Sequence, residues 1–329
     1  IMLINFFNGN FYEAFRGVED AFYYMPLLRY INSLFMIFFG ETVLGSILII
    51  SFFAILIFKI LNPLLDKKIS SILTIIFVFI PIFETLGFSI ISYIGFTVKG
   101  YGEGLAYFFL IYITYLFLLN KKNNLHFFLI GFFSFIVIGL RPNYLVLLFS
   151  LILFYSLYLI YFHNFNKNIL KLKLKIFLMF FGASFCLLFL AHNYYYSGKF
   201  ILFVVEDNLK YNLRINFSDY LIMLKSIFEE NFNSEIMMKI VHHLRTYIKP
   251  YEFWFIITLL NLPIVIFLRL NDKITILSLS LLLMHSTYLF FQGVPRYSLG
   301  VWLISFIVLI YSIYHFYYPL IKAKFLKLK

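Results

Sequence analysis

The sequence predicts an all-α, polytopic transmembrane helix bundle, and three observations predict it. Hydrophobic residues make up 63% of the 329 residues, charged residues only 13%, and the mean hydropathy is +0.92. An ordinary globular chain is roughly 45–50% apolar and about 25% charged. The 46 Phe and 26 Tyr exceed what a soluble core of this length buries. Apolar runs suited to a hydrocarbon layer about 30 Å thick recur along the whole chain. A soluble enzyme, a disordered tail and a disulfide scaffold are excluded, since the single Cys186 cannot form an intramolecular bridge. The net charge of +12 suggests nucleic acid at first sight. In a membrane protein the distribution of charge decides instead, and no nucleic-acid partner is expected.

Nine spans are predicted, at 42–60, 71–86, 104–119, 125–140, 143–162, 176–192, 252–268, 274–291 and 299–318. The connections on one side carry 15 basic residues, from Lys59 and Lys67 to Lys327 and Lys329, against two acidic ones, Asp66 and Asp272. The other side holds 12 basic and 13 acidic residues. The positive-inside rule places the first set in the cytoplasm, and the alternation holds through all nine spans. The chain thus opens on the outer side. Ile1-Met2 lacks the basic region of a signal peptide, and a tenth helix ahead of Ile1 is expected.

Residues 1–329 read as a single transmembrane domain with two long outer loops. In the first, 1–41, an interfacial helix is predicted over 21–39, capped by Asp20 and ended by Gly40, with Arg29 and Asn32 on one face. The second, 193–251, contains two amphipathic helices. One starts at Ser218 (Tyr220, Leu221, Leu224, Ile227, Phe228) and one at Ser234 (Ile236, Met237, Ile240, Val241, Leu244). A smaller outer loop, 87–103, ends in Gly100-Tyr101-Gly102-Glu103. The cytoplasmic loops are too short to form a domain, so any active site faces outward.

No nucleotide-binding glycine loop, HExxH or GxSxG occurs. The strongest candidates are Glu19 and Asp20, ahead of the interfacial helix. Carboxylates there can accept a proton from a substrate hydroxyl or hold a divalent ion, and equally can cap the helix. Arg141, in Gly139-Leu140-Arg141-Pro142, and Arg296, in Pro295-Arg296-Tyr297, lie at outer span ends. Each can bind phosphate oxygens bidentately or snorkel to headgroups. Glu84 within a span and Glu103 beside a glycine turn are further acids. Either can serve the site or pair with Lys99 or an arginine. His242, His243 and Arg245 cluster in the large loop, but adjacent histidines on a helix diverge, which favours a wet face over a metal site. Lys210 and Arg214 are i, i+4 neighbours that can meet an anionic headgroup if helical.

Taken together, four stretches resemble the GT-C superfamily of polytopic glycosyltransferases, especially its protein-mannosyltransferase-like and aminoarabinose-transferase-like bacterial members. Val18-Glu19-Asp20-Ala21-Phe22-Tyr23-Tyr24, with Pro26-Leu27-Leu28-Arg29-Tyr30, looks like the family's first outer loop. Gly102-Glu103-Gly104-Leu105, leading to Gly139-Leu140-Arg141-Pro142, resembles its acid-to-RP segment. His192-Asn193-Tyr194-Tyr195-Tyr196-Ser197-Gly198 is similar to its lead-in to the large loop, with His192 where the family often has Arg. Pro295-Arg296-Tyr297 resembles its late PRY.

The resemblance implies a GT-C-like bundle in the plasma (bacterial inner) membrane. It implies sugar transfer from a polyprenyl-phosphate donor in the bilayer to a cell-envelope acceptor outside, with inversion. Asp20 or Glu19 would serve as base. Arg141, Arg296 and Arg29 would hold the donor phosphate, and Glu103, Tyr297 and His192 would position the acceptor or a divalent metal ion. A polysaccharide polymerase or ligase, and a lipid or sugar flippase, are the competing readings. The first would rest on His242, His243 and Arg245. The second would require broken helices in matching halves, and no such symmetry is legible.

Overall fold

The computed structural model describes residues 2–16, 27–79, 95, 97–99, 102–119, 123–163, 169–198, 200, 215, 217–229, 235–248, 252–290 and 295–327. Among the described residues every regular element is helical and no strand occurs. In chain order the helices are α1 (Met2–Phe7), α2 (Phe11–Arg16), α3 (Leu27–Phe39), α4 (Leu44–Ser51), α5 (Phe53–Leu61) and α6 (Lys67–Phe79). Then come α7 (Glu103–Leu118), α8 (Asn124–Leu140), a 3-10 turn (Pro142–Tyr144), α9 (Leu145–His163), α10 (Ile169–Ser184) and α11 (Leu187–Ser197). The remainder are α12 (Phe217–Phe228), α13 (Glu235–Ile248), α14 (Glu252–Leu268), α15 (Asp272–Tyr288), α16 (Pro295–Ser312), a π turn (Ile313–Tyr317) and α17 (Tyr318–Lys327).

Each of the nine predicted stretches coincides with helix through most of its described length. Among the described residues four helical runs are long and apolar enough to cross a membrane: Leu44–Leu61, Pro142–Tyr161, Leu170–Ser197 and Ser298–Ala323. Leu27–Phe39, Glu103–Leu118, Asn124–Leu140 and Ile256–Leu268 are apolar but shorter. The boundaries follow local chemistry. The side chain of Asn123 accepts from the His126 N–H, and that of Asn271 from the N–H groups of Lys273 and Ile274, so both cap their helices. α3 stops where Gly40 turns to φ +69°, its N–H closing on the Met36 carbonyl at 2.9 Å. Its N-terminal part, expected from residue 21 with Asp20 as cap, lies outside the described residues.

Two membrane-length runs are interrupted without proline, and a serine stands at each break. The Ser51 hydroxyl donates to the Ile47 carbonyl at 2.9 Å where the Phe52 N–H shortens its bond to Ile49. The Ser184 hydroxyl donates to the Phe181 carbonyl at 2.8 Å, ahead of three i to i−3 bonds from Cys186, Leu188 and Phe189. Hydroxyl back-bonding of this kind bends helices and tightens the following turn.

The chain divides into two compact units, residues 1–60 with 90–206 and residues 61–89 with 207–329. In the first, α8 and α10 pack along their lengths because two glycines remove side chains from the contact. A Cβ at Gly131 would strike the Met179 carbonyl oxygen, and one at Gly182 would lie 2.6 Å from the Phe128 carbonyl oxygen. Phenylalanines fill the flanks, with Phe135 and Phe189 stacked at 5.3 Å between ring centroids. α7 packs on α8, and α3 packs on α4 and α8. At the expected cytoplasmic side the Lys59 and Lys175 ammonium groups lie 5.8 and 5.4 Å from the ring centroids of Tyr115 and Phe127. In the second unit α14 packs on α15 and α16, α12 pairs with α13, and Phe77 of α6 meets Phe306 edge to face.

Candidate functional site

Glu103 and Arg141, 38 positions apart in sequence, form an ion pair in the first unit. Glu103 opens α7 behind Gly102, and Arg141 closes α8, its extended backbone (φ −148°, ψ 95°) set by the following Pro142. The carboxylate thus sits at a helix N-terminus and the guanidinium at a C-terminus, both favoured by the peptide dipoles. The Glu103 side chain is 1% exposed and that of Arg141 23%, so the cation is the partner that reaches the surface. Tyr107, one turn into α7, meets Tyr144 edge to face at 6.2 Å. Of the roles open to Glu103, partner of an arginine is the geometry found.

α3 lies over this corner. A Cβ at Gly102 would come 3.2 Å from Leu28 and one at Gly139 2.8 Å from Leu27, so these glycines admit α3. Beyond them, the Arg29 guanidinium donates to the Phe15 and Arg16 carbonyls at 2.6 and 3.2 Å and closes the end of α2. The Tyr30 hydroxyl lies 2.5 Å from His192 Nε2, and His192 Nδ1 lies 3.2 Å from Asn193 Oδ1. The Phe15 carbonyl lies 3.2 Å from the Tyr30 hydroxyl, which donates to it, and 3.2 Å from His192 Nε2, so the imidazole joins α3 and α11 beside the end of α2. Burial raises the Tyr30 pKa, outweighing the lowering by Arg29, and the hydroxyl stays a donor at neutral pH. Tyr12, Tyr195 and Tyr196 continue the cluster as rings 4.9–6.2 Å apart.

In the second unit, α12 and α13 are fastened to the end of α15. The Tyr220 hydroxyl donates to the Leu289 carbonyl at 2.5 Å, and His243 Nε2 to the Tyr288 carbonyl at 2.8 Å. The Tyr247 hydroxyl lies 2.7 Å from His285 Nδ1, and His285 Nε2 lies 2.9 Å from Ser305 Oγ, whose hydroxyl donates to the Val301 carbonyl. That last acceptor fixes the direction of the whole chain: Tyr247 to His285 to Ser305 to Val301. The signal for it was legible, since His285 is an ionisable residue inside an apolar run. His242 and His243 diverge as helical neighbours must. His243 is buried, while His242 is exposed and lines a shallow hollow of about 230 Å³ with Arg245 and Met238.

Burial lowers the His243 pKa from its ordinary 6.5, the bond to Tyr288 raises it, and His242 and Lys239 push it down further. The native state then stays neutral where the unfolded chain takes up a proton. Stability is full above about pH 6.5 and declines as the pH falls below that value. The unfolding temperature is expected to drop between about pH 7 and about pH 5, and to drop less in His243→Gln. Parallel pH dependence of the two proteins in thermal scans would remove His243 as the cause.

Glu19 and Asp20 lie outside the described residues, as do Glu84, Lys210 and Arg214. Arg296 and Tyr297 stand in the first turn of α16, with side chains outside the described set. Among the described residues no three His, Cys, Asp or Glu side chains gather to hold a metal ion. Glu103, a carboxylate considered for that task, is turned to Arg141. Among the described residues the fold is all-helical, with four membrane-length helical runs. Comparison with protein-family models, curated proteins and solved structures gives no match.

Proposed function

We propose that the chain is a polytopic membrane glycosyltransferase of the GT-C kind, moving a sugar from a polyprenyl phosphate to an acceptor on the outer side of the plasma membrane. The observation that carries this reading is the meeting of three sequence-distant motifs in the first unit. The α3 segment Leu27–Tyr30, the Glu103–Arg141 pair and His192 close on one corner through the contacts of Leu27, Leu28 and Tyr30. Residues 17–26, which hold Glu19 and Asp20, connect Arg16 to Leu27 in the sequence.

In the reaction the acceptor oxygen attacks the anomeric carbon while the carbon–oxygen bond to the lipid phosphate breaks, with inversion. Asp20, supported by Glu19, takes the acceptor proton. Arg141 offsets the charge growing on the departing phosphate, the electrostatic contribution that usually dominates such steps. Glu103 acts through Arg141 as a positioning residue, holding the guanidinium at the surface. Arg296 keeps the phosphate role that the resemblance implies. No step is routed through a metal ion.

Asp20→Asn is expected to lower transfer in a lipid-linked sugar assay by about 10²-fold or more, the usual worth of a general base. Arg296→Ala should also lose transfer, and wild-type rates from Asp20→Asn would end the assignment. A ligase reading finds some support in the hollow beside His242 and Arg245. Alanine at those two residues, with Asp20→Asn for comparison, separates the two enzymes.

A further inference from the structure

We propose a binding site for an anionic diacyl glycerophospholipid in the second unit, in the groove between α14 and the π turn with α17. The groove has a volume of about 420 Å³ and is lined by Leu260, Ile264, Leu309, Ile313 and Ile321 around Asn261 and Tyr317. The π turn makes it. In an α-helix residues five apart diverge, whereas the i to i+5 pitch of Ile313–Tyr317 brings Ile313 and Tyr318 to one wall.

The polar side chains of Asn261, Tyr317 and Tyr318 interrupt this apolar lining. Asn261 is 2% exposed, its Oδ1 accepts from the Tyr317 hydroxyl at 3.3 Å, and its buried Nδ2 meets no acceptor. An amide donor left unmet among hydrocarbon side chains costs about 1–3 kcal/mol. An occupant of this groove that carries an acceptor is favoured over plain hydrocarbon.

The level of the groove identifies the acceptor. Four and three residues before Tyr318, the Tyr314 hydroxyl donates to the Asp66 carboxylate at 2.5 Å and His315 Nε2 lies 2.6 Å from the Leu64 carbonyl. A carboxylate marks the edge of the hydrocarbon layer, so Tyr317 and Asn261 stand where ester carbonyls stand. Lys322 follows five residues after Tyr317, about 7.5 Å of helix rise, and shares a face with Tyr318 at i, i+4. A headgroup layer is roughly 5–8 Å deep per leaflet, which puts a phosphate beside Lys322. Arg269, exposed at the end of α14, adds a second cation on the same expected cytoplasmic side. One acyl chain follows the groove toward Leu309, an ester carbonyl meets Asn261 and Tyr317, and the phosphate meets the cations.

The site rests on the membrane orientation proposed above and not on sugar transfer, so a failed transfer assay leaves it standing. The test is native mass spectrometry of the full chain in detergent micelles. The probes are dioleoyl phosphatidylglycerol, its diether analogue, which lacks the ester carbonyls, and dioleoyl phosphatidylcholine. Wild type should retain the diester phosphatidylglycerol about five-fold better than the diether, the worth of one hydrogen bond, and better than phosphatidylcholine. Asn261→Leu should abolish the preference for the ester, and Lys322→Gln the preference for the anion. Equal retention of diester and diether by wild type overturns the site, as does a dimer peak that excludes lipid. If Asn261→Leu does not fold, the wild-type comparison decides alone.

Discussion

Glu103→Ala is expected to cost about 3–5 kcal/mol, because it strands a partly buried guanidinium without its counter-charge. Arg141→Ala should cost a similar amount from the other side, since Glu103 has almost no solvent to turn to. The double variant Glu103→Leu with Arg141→Met is the informative one. A buried pair replaced together by apolar residues of similar volume is often neutral or stabilising, so thermal stability should recover in it. Transfer should not recover, because the phosphate then loses its cation. A double variant that folds and transfers sugar at wild-type rates would leave the pair a structural feature alone. A double variant as unstable as the singles would show that the corner needs the charges to fold.

The second large effect is expected at the α8–α10 contact. Gly131→Leu places a side chain where the Met179 carbonyl now lies, and Gly182→Leu does the same toward the Phe128 carbonyl and the Phe132 N–H. Overpacking of side chains alone costs about 1–3 kcal/mol, and here the obstacles are main-chain atoms in both directions. Each substitution should therefore cost about 3 kcal/mol or more, read as a lower unfolding temperature or loss of the monodisperse peak in gel filtration. Gly9→Ala makes a useful contrast for crowding. Nothing lies within 4 Å of a Cβ there, so its cost comes from the φ of +78° alone. Wild-type melting of both leucine variants would show that the two helices can separate without loss.

The positions of the helices were largely legible because their cause is local. Apolar runs, asparagine caps at Asn123 and Asn271, and the stop at Gly40 each depend on neighbours within a few residues. The partner of Glu103 was less so. An acid beside a glycine turn admits a lysine, an arginine or a substrate, and only the approach of α7 to α8 selects Arg141. His192 stood out by its motif. Its bond to Tyr30 crosses 162 positions, and no periodicity encodes that separation. The chain from Tyr247 through His285 to Ser305 joins three helices; His285, ionisable inside an apolar run, is its one signal in the sequence, and its two partners read as ordinary residues. Asn261 lies within the predicted span 252–268, and only the groove that the π turn opens beside it makes it a candidate ligand group.

The lengths of α7 and α8 carry one more consequence. At 16 and 17 residues they rise about 24–26 Å, less than the usual 30 Å of hydrocarbon. A bilayer meeting such short walls thins locally, at a fraction of a kcal/mol per ångström of mismatch. In the membrane arrangement proposed above, the helix ends that carry Glu103 and Arg141 would lie in such a thinned region. Membrane thickness would then act on the corner: shorter-chain lipids would leave the guanidinium in water, and thick, ordered ones would draw it under the surface.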